Sequence, residues 1–82
     1  MIKEVIRTDN FLRRLKKLDK TILTKVGKLV VKILNDPEIG KPMRFDRRGT
    51  REVYASPYRL SYSYSKGENR IIILDLYHKD EQ

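Results

Sequence analysis

The spacing of apolar residues changes from a helical period to a strand period at Pro37, and this change constrains the fold most. Before Pro37, apolar residues recur every three or four positions, as they do on one face of a helix. After it, they alternate with polar residues or form a short continuous run, as they do in strands. A chain of 82 residues is long enough for one domain with one core. We therefore expect a single domain over residues 1–82, with helices first and a sheet second.

Two helices are predicted between Thr8 and Asp36. Residues 8–10, Thr-Asp-Asn, provide three candidate caps for the first helix, which carries its apolar residues between Phe11 and Leu18. Asp19 can end this helix and cap the second, whose apolar stripe runs over residues 22–34. Asn35-Asp36-Pro37 ends the second helix, because the residue before a proline avoids the helical region. The first half is thus expected to contain a helical hairpin.

Strands are predicted on both sides of this hairpin. Residues 2–7 are rich in β-branched side chains, and a short strand is expected around Met43–Phe45. Residues 51–55, 58–64 and 71–77 predict three more strands, separated by turns at 56–57 and 65–69. With the short strand around Met43–Phe45 left out, the order β-α-α-β-β-β predicts a two-layer α+β fold. In it, an N-terminal strand and a helical hairpin precede an antiparallel β-meander, with the helices on one side of the sheet.

The net charge of +8 is concentrated in the first half of the chain. Residues 1–36 carry ten Lys or Arg and four acids, residues 37–50 four and two, and residues 51–82 five and five. This distribution favours a polyanionic partner, with nucleic acid first and an acidic protein or a membrane surface second. A solvated basic surface without a partner is the alternative. The candidate RNA contacts are Lys25, Lys28 and Lys32 on the second helix, and Arg47, Arg48 and Arg51 after it.

Several classes of function are disfavoured by what the chain lacks. It has no cysteine and one histidine, so we expect no metal site and no thiolate nucleophile. No glycine-rich phosphate loop is present, and we expect no cofactor. The N-terminus has no apolar signal segment, and no apolar run approaches the ~20 residues that span a bilayer. We therefore expect a cytoplasmic protein with no membrane partner.

The predicted strands nevertheless carry residues suited to metal-free cleavage of RNA. That reaction needs a base for the ribose 2′-hydroxyl, a cation near the phosphate and an acid for the leaving oxygen. Arg59 lies on the polar face of its strand and suits bidentate phosphate contact. His78 and Lys79 follow the last apolar strand, and Glu52 is either a base or the partner of a nearby arginine. For each, an ordinary exposed polar residue is the competing interpretation.

The tyrosines of these strands allow two interpretations as well. They can stack on RNA bases, but their spacing of two residues more often indicates packing within and across strands. Packing is the expectation for most of them. The residues concerned are Tyr54, Tyr58, Tyr62 and Tyr64.

The whole pattern resembles the RelE/ParE toxin superfamily. The resemblance extends over nearly the full length and rests on "LNDP" at the end of the helical hairpin, then "KPM", "PYRLSY" and "IIILDLYHKDE". "YRLSY" is similar to the family's Tyr-Arg-hydrophobic-x-Tyr strand, and "YHKDE" to its His-Lys/Arg ending. The resemblance implies a RelE-like fold and the toxin of a type II toxin–antitoxin system. It further implies a ribosome-dependent mRNA endoribonuclease (mRNA interferase) that inhibits translation, and a cognate RelB-like antitoxin that neutralises it in a hetero-oligomer.

The resemblance also implies roles for individual residues. Arg59 matches the strand arginine that contacts the scissile phosphate, Lys79 matches the basic residue ending the last strand, and His78 is next to it. Glu52 lies where the family places a lysine or a carboxylate. The chain departs from RelE by lacking further lysines on that strand, and by stopping at Gln82 without the C-terminal tyrosine of many members.

These departures leave three functions open. One is the ribosome-dependent RNase, with His78 or Tyr77 substituting for the missing groups. The second is a ParE-like inhibitor of DNA gyrase, and the third is a non-catalytic module of this fold that binds RNA or a partner.

Overall fold

The structure, a computed structural model, describes residues 2–81. Its helices are α1 (Asp9–Leu15) and α2 (Lys20–Asn35). The strands are β1 (Glu4–Arg7), β2 (Lys41–Pro42), β3 (Thr50–Ala55), β4 (Tyr58–Ser65) and β5 (Arg70–His78), and two short 3-10 helices cover Phe45–Arg47 and Lys79–Glu81. The predicted α+β class, with a strand and a helical hairpin before a mostly antiparallel sheet, is confirmed.

Both helices begin at the side chains that the sequence offers as caps. The Thr8 hydroxyl accepts a hydrogen bond from the Phe11 amide, and the Asp19 carboxylate accepts one from the Ile22 amide. Each bond satisfies one of the amides that have no partner inside the first turn of a helix. Helix α2 ends at Asn35, just before Asp36 and Pro37, as predicted.

Within the described residues, five strands form one sheet in the order β1-β5-β4-β3-β2. Strands β2 to β5 pair antiparallel, whereas β1 pairs parallel with β5, so the first strand lies beside the last. The two helices return the chain to the end of the sheet where β1 finishes, so β2 runs opposite to β1. Three antiparallel pairings then bring β5 parallel to β1. Strand β5 is therefore enclosed between β1 and β4.

The strand predicted around Met43–Phe45 is wrong in position. The second strand is the pair Lys41–Pro42, and residues 45–47 form a 3-10 turn instead. Phe45 has a φ of +58°, which a strand does not allow. The chain must reverse between β2 and β3, and the Thr50 hydroxyl closes this turn by donating to the Arg47 carbonyl at 2.7 Å.

The core lies between the helices and one face of the sheet. Its buried side chains are Phe11 of α1, Val26 and Ile33 of α2, and Leu60, Tyr62, Ile71, Ile73 and Leu76 of β4 and β5. The helices cover only this face of the sheet. The segment between β2 and β3 lies beside the other face. None of the described helices is long and apolar enough to cross a membrane.

One buried tyrosine attaches the segment after α2 to this core. The Tyr62 hydroxyl donates to the Pro37 carbonyl at 2.8 Å and accepts from the Gly40 amide at 2.9 Å. A Cβ atom at residue 40 would lie 2.7 Å from the Tyr62 hydroxyl oxygen, so the close approach requires glycine. This contact determines where β2 begins, and β2 forms one side of the site described next.

Candidate functional site

The strand register gathers three polar or aromatic residues on the face of the sheet that the helices leave uncovered. Arg59 of β4 pairs with Tyr54 of β3 on one side and with Tyr77 of β5 on the other. Leu60 and Leu76, their neighbours in sequence, point to the core. Because side chains alternate along a strand, Arg59 and its two partners lie on the opposite face.

Glu52 of β3 is the carboxylate at the centre of this face. Only 8% of the residue is exposed. Its Oε2 atom accepts a hydrogen bond from Arg47 Nη1 at 2.9 Å and another from the Tyr77 hydroxyl. Its Oε1 atom lies 3.8 Å from Arg59 Nη1. A buried carboxylate requires such partners, since desolvation without them is strongly unfavourable.

Arg47 holds one side of this cluster. The hydrogen bond from its Nη1 atom to the Tyr77 hydroxyl, at 2.9 Å, and the charge of Glu52 raise the pKa of the Arg47 guanidinium above its usual value. Its Cζ atom lies 5.6 Å from the centre of the Tyr77 ring, a cation–π distance. With Arg59 also charged, the cluster carries two cations and one carboxylate.

An open groove of about 740 Å³ lies beside the cluster. We call it the groove. Its lining comprises Lys41, Pro42, Met43, Arg44, Phe45, Glu52, Val53, Tyr54 and Arg59. Three of these residues are cationic and one is acidic, so the groove suits an anionic ligand.

Arg59 lies in the groove with its hydrogen-bonding capacity unused. Within residues 2–81 its guanidinium makes the ion pair to Glu52 and lies 5.8 Å from the centre of the Tyr54 ring. Its Nε atom is buried and has no hydrogen-bond partner there. Because 36% of the Arg59 side chain is exposed, its Nη atoms have donors to offer an incoming oxyanion.

The predicted catalytic residues fall into two groups. Glu52 and Arg59 meet in the groove, whereas His78 pairs with Tyr58 on the core side of the sheet, with the ring centres 5.5 Å apart. The His78 Nδ1 atom accepts a hydrogen bond from the Asp80 amide at 3.1 Å. Lys79 is exposed just beyond β5, and its amide donates to the Pro57 carbonyl at 2.9 Å.

The candidate RNA-binding residues also separate. Arg47 belongs to the cluster, Arg48 is exposed in the same turn, and Arg51 Nη1 donates to the Glu38 and Gly40 carbonyls at 3.0 and 2.8 Å. Arg51 thereby braces the segment after α2. The lysine stripe, Lys25, Lys28 and Lys32, is exposed on α2, on the other side of the sheet from the groove.

Two residues of this region carry weak signals in the sequence. Tyr77 ends a nearly continuous apolar run, so alternation does not assign it to a face, and it is noted only as a substitute for a missing tyrosine. Phe45 belongs to no periodic segment. The pairing of Arg59 with Tyr77 across β4 and β5 would have found the first. Within residues 2–81, no cluster of three or more His, Asp or Glu side chains is arranged to hold a metal ion.

Comparisons with known proteins agree with this architecture. The family model for the ParE toxin of type II toxin–antitoxin system, parDE, matches residues 5–82. A chain of the toxin–antitoxin complex RelBE2 from Mycobacterium tuberculosis is 29% identical, with 95% of this chain and 99% of that chain covered and a TM-score of 0.84. Comparison with curated protein sequences gives no match.

Two more distant structures share the fold. The intact E. coli RelBE toxin–antitoxin complex contains a chain that is 18% identical, covering 90% of this chain and 93% of that one, with a TM-score of 0.77. The YoeB/ParE toxin from Agrobacterium tumefaciens is 15% identical, covering 93% and 98%, with a TM-score of 0.81.

Proposed function

Since this chain belongs to the ParE toxin family of type II toxin–antitoxin systems, we propose that it is a toxin that cleaves mRNA on the ribosome. An antitoxin neutralises it. The observation that carries the proposal is the placement of the buried Glu52 carboxylate between the Arg47 and Arg59 guanidinium groups, at the edge of an open cationic groove.

This arrangement contains two of the three groups that metal-free RNA cleavage needs, a base and a cation near the phosphate. The third, the proton for the leaving 5′-oxygen, comes from water. The Arg59 side chain is 36% exposed, and its Nη donors contact the scissile phosphate and stabilise the charge that develops there. Glu52 Oε1, which receives no hydrogen bond from the described residues, takes the proton of the ribose 2′-hydroxyl. Tyr77 and Arg47 hold Glu52 through its other oxygen and are positioning residues. Lys79 is an additional cation at the end of β5, and His78 receives no role in the groove.

The surface charge supports both proposed partners. A chain of net charge +8 is attracted to ribosomal RNA and mRNA. Its positive charge is also complementary to that of an acidic antitoxin. The relative that is 29% identical lies in a toxin–antitoxin complex. By analogy, an antitoxin bound to this chain would form a hetero-oligomer and cover the cationic surface.

The test is to add the purified protein to a bacterial translation reaction and map the 5′ ends of the mRNA, with and without ribosomes. Cuts that require ribosomes are expected from the wild-type protein. Arg59→Ala and Glu52→Gln should each lower the rate by about 10²-fold or more, because each removes a group that acts on the transition state. Arg70→Ala is the matched control, since this β5 arginine pairs with Glu4 and Glu68 away from the groove.

The outcomes separate the proposals. Cleavage by Arg59→Ala at the wild-type rate would contradict the assignment of Arg59 to the catalytic site. Intact mRNA with the wild-type protein would contradict the reaction.

The match to the ParE family model favours a second candidate, inhibition of DNA gyrase by binding. This function needs no nuclease site, so Glu52 would serve only to hold Arg47 and Arg59. It predicts blocked supercoiling by purified gyrase and unbroken mRNA in the same preparation that stops growth.

A further inference from the structure

Phe45 projects from the turn between β2 and β3 into the groove. It is 84% exposed, more than any other large apolar side chain in the described part of the chain. Its φ of +58° is a conformation that bulky residues rarely adopt. A ring held in solvent by an unfavourable backbone contributes little to folding, so another role has to account for it.

Tyr54 faces the same groove and differs from the other strand tyrosines. Tyr62 is fully buried, and Tyr58 and Tyr64 pack against the core. Tyr54 is 53% exposed on the uncovered face of the sheet. Arg59 lies 5.8 Å from the centre of its ring, which leaves much of the aromatic surface open.

We propose that Phe45 and Tyr54 form a binding site for an unpaired base of single-stranded RNA. The base stacks on these rings, and the phosphate beside it contacts Arg59 and Arg44. Any base has a flat aromatic surface, so the site grips RNA with little preference for sequence. The inference rests on the proposed function, because it names what the groove holds while the cluster around Glu52 acts.

The charge of the lining favours RNA over an apolar peptide. The groove that holds the two rings is also lined by Lys41, Arg44 and Arg59, and Glu52 is already paired. A hydrophobic side chain entering here would withdraw these cations from water without supplying an anion. A nucleotide supplies both an aromatic ring and a phosphate, and the groove volume of about 740 Å³ accommodates it.

The test uses a hexameric 2′-O-methyl RNA, which cannot be cleaved through its 2′-hydroxyl, with one 2-aminopurine. Stacking on an aromatic ring quenches the fluorescence of this base, so titration reports affinity and stacking together. Phe45→Leu and Tyr54→Leu keep apolar bulk but remove the aromatic face, and each should weaken binding about tenfold and reduce quenching. Phe45→Trp should restore both. Val31→Ala, an exposed apolar residue of α2, is the control.

The proposal has two further requirements. An RNA with an abasic position in place of 2-aminopurine should bind the wild-type protein more weakly than the 2-aminopurine RNA does. Each leucine variant should bind the two RNAs with equal affinity. Equal binding of the labelled RNA by wild type and leucine variants, or no binding by the wild type, overturns the proposal. Loss of neutralisation by an antitoxin, with RNA binding unchanged, would overturn it by assigning the rings to a protein partner.

The test of base binding is independent of the test of mRNA cleavage. Quenching that depends on Phe45 and Tyr54, found with a protein that leaves mRNA intact on ribosomes, would retain the base site and reject the nuclease. Cleavage of mRNA by both leucine variants at the wild-type rate would retain the nuclease and reject the base site.

Discussion

Phe45 illustrates how one residue can work against the stability of the fold that carries it. A left-handed backbone costs a non-glycine residue roughly 1–2 kcal/mol, and the exposed ring recovers little of this by packing. Glycine adopts the same backbone without a steric penalty, although it loses more entropy on folding. The residue found here is therefore a poor choice for stability alone.

Replacing Phe45 should accordingly stabilise the protein. Phe45→Gly is expected to raise the free energy of unfolding by about 0.5–1 kcal/mol. This is the steric penalty that glycine relieves, minus the extra conformational entropy that glycine loses on folding. The melting temperature should rise by a few degrees, measured by circular dichroism. Phe45→Ala removes the ring but keeps the steric cost, so it should stay near the wild-type value. A lower melting temperature for both variants would mean that the ring packs on the protein.

At this scale the sequence predicts residues whose chemistry is tied to a strand. Arg59 and Glu52 lie in readable strands, so alternation and charge identify them. Tyr77 escapes because its strand is apolar almost throughout, and alternation then no longer separates the two faces. Phe45 escapes because a turn conformation depends on how β2 and β3 are joined in space.

At the scale of elements, the segment between α2 and β2 is placed by Tyr62 and Gly40. The tyrosine hydroxyl donates to the Pro37 carbonyl and accepts from the Gly40 amide. The same segment leads into Lys41 and Pro42, which line the groove. A substitution of Tyr62 in the core should therefore alter the position of the residues that line the groove.

Tyr62→Phe should lower the free energy of unfolding by about 1–3 kcal/mol at neutral pH, because it removes the hydrogen-bond partner of the buried Gly40 amide and of the partly buried Pro37 carbonyl. Burial raises the pKa of Tyr62 above the usual value of 10.0, so the folded state favours the protonated phenol. That contribution is complete below about pH 10 and is lost as the pH rises through the folded-state pKa.

Urea unfolding at pH 8 and pH 11 measures this effect. The difference in stability between the wild type and Tyr62→Phe should narrow at the higher pH. A difference that stays constant would show that Tyr62 does not titrate in this way.

The elements themselves are largely predictable from the sequence. Thr8 and Asp19 mark helix starts, Pro37 marks an end, and the alternation in β4 identifies a strand with one buried face. The misplaced β2 shows the limit, since its two residues are too few for any pattern. The parallel pairing of β1 with β5 depends on contacts 66 residues apart, such as that between Glu4 and Arg70.

At the scale of the whole molecule, the basic surfaces lie on opposite sides of the sheet. The groove is on the uncovered face, and the lysine stripe of α2 is beyond the helical layer. The sheet and the helical layer therefore separate an RNA lying in the groove from the stripe. We expect the stripe to contact another polyanion, ribosomal RNA in the proposed function.

The combined variant Lys25→Gln, Lys28→Gln and Lys32→Gln separates these surfaces. It should bind the hexameric RNA within about twofold of wild type, yet bind ribosomes more weakly and with a smaller dependence on salt. Arg44→Gln, in the groove, should show the opposite pattern. Sedimentation with ribosomes and fluorescence titration measure the two affinities, and equal losses in both assays for the lysine variant would contradict the separation.

The position of β5 determines when the site forms during synthesis. This strand fills the gap between β1 and β4, and its residue Tyr77 holds Glu52. Both neighbours are translated before it, so the sheet closes only after residue 77 has left the exit tunnel. In the proposed function, this order would shield the ribosome that makes the protein, because the nascent chain is still open. Chains stalled with β5 inside the tunnel should be digested rapidly by added protease, whereas released chains should resist it.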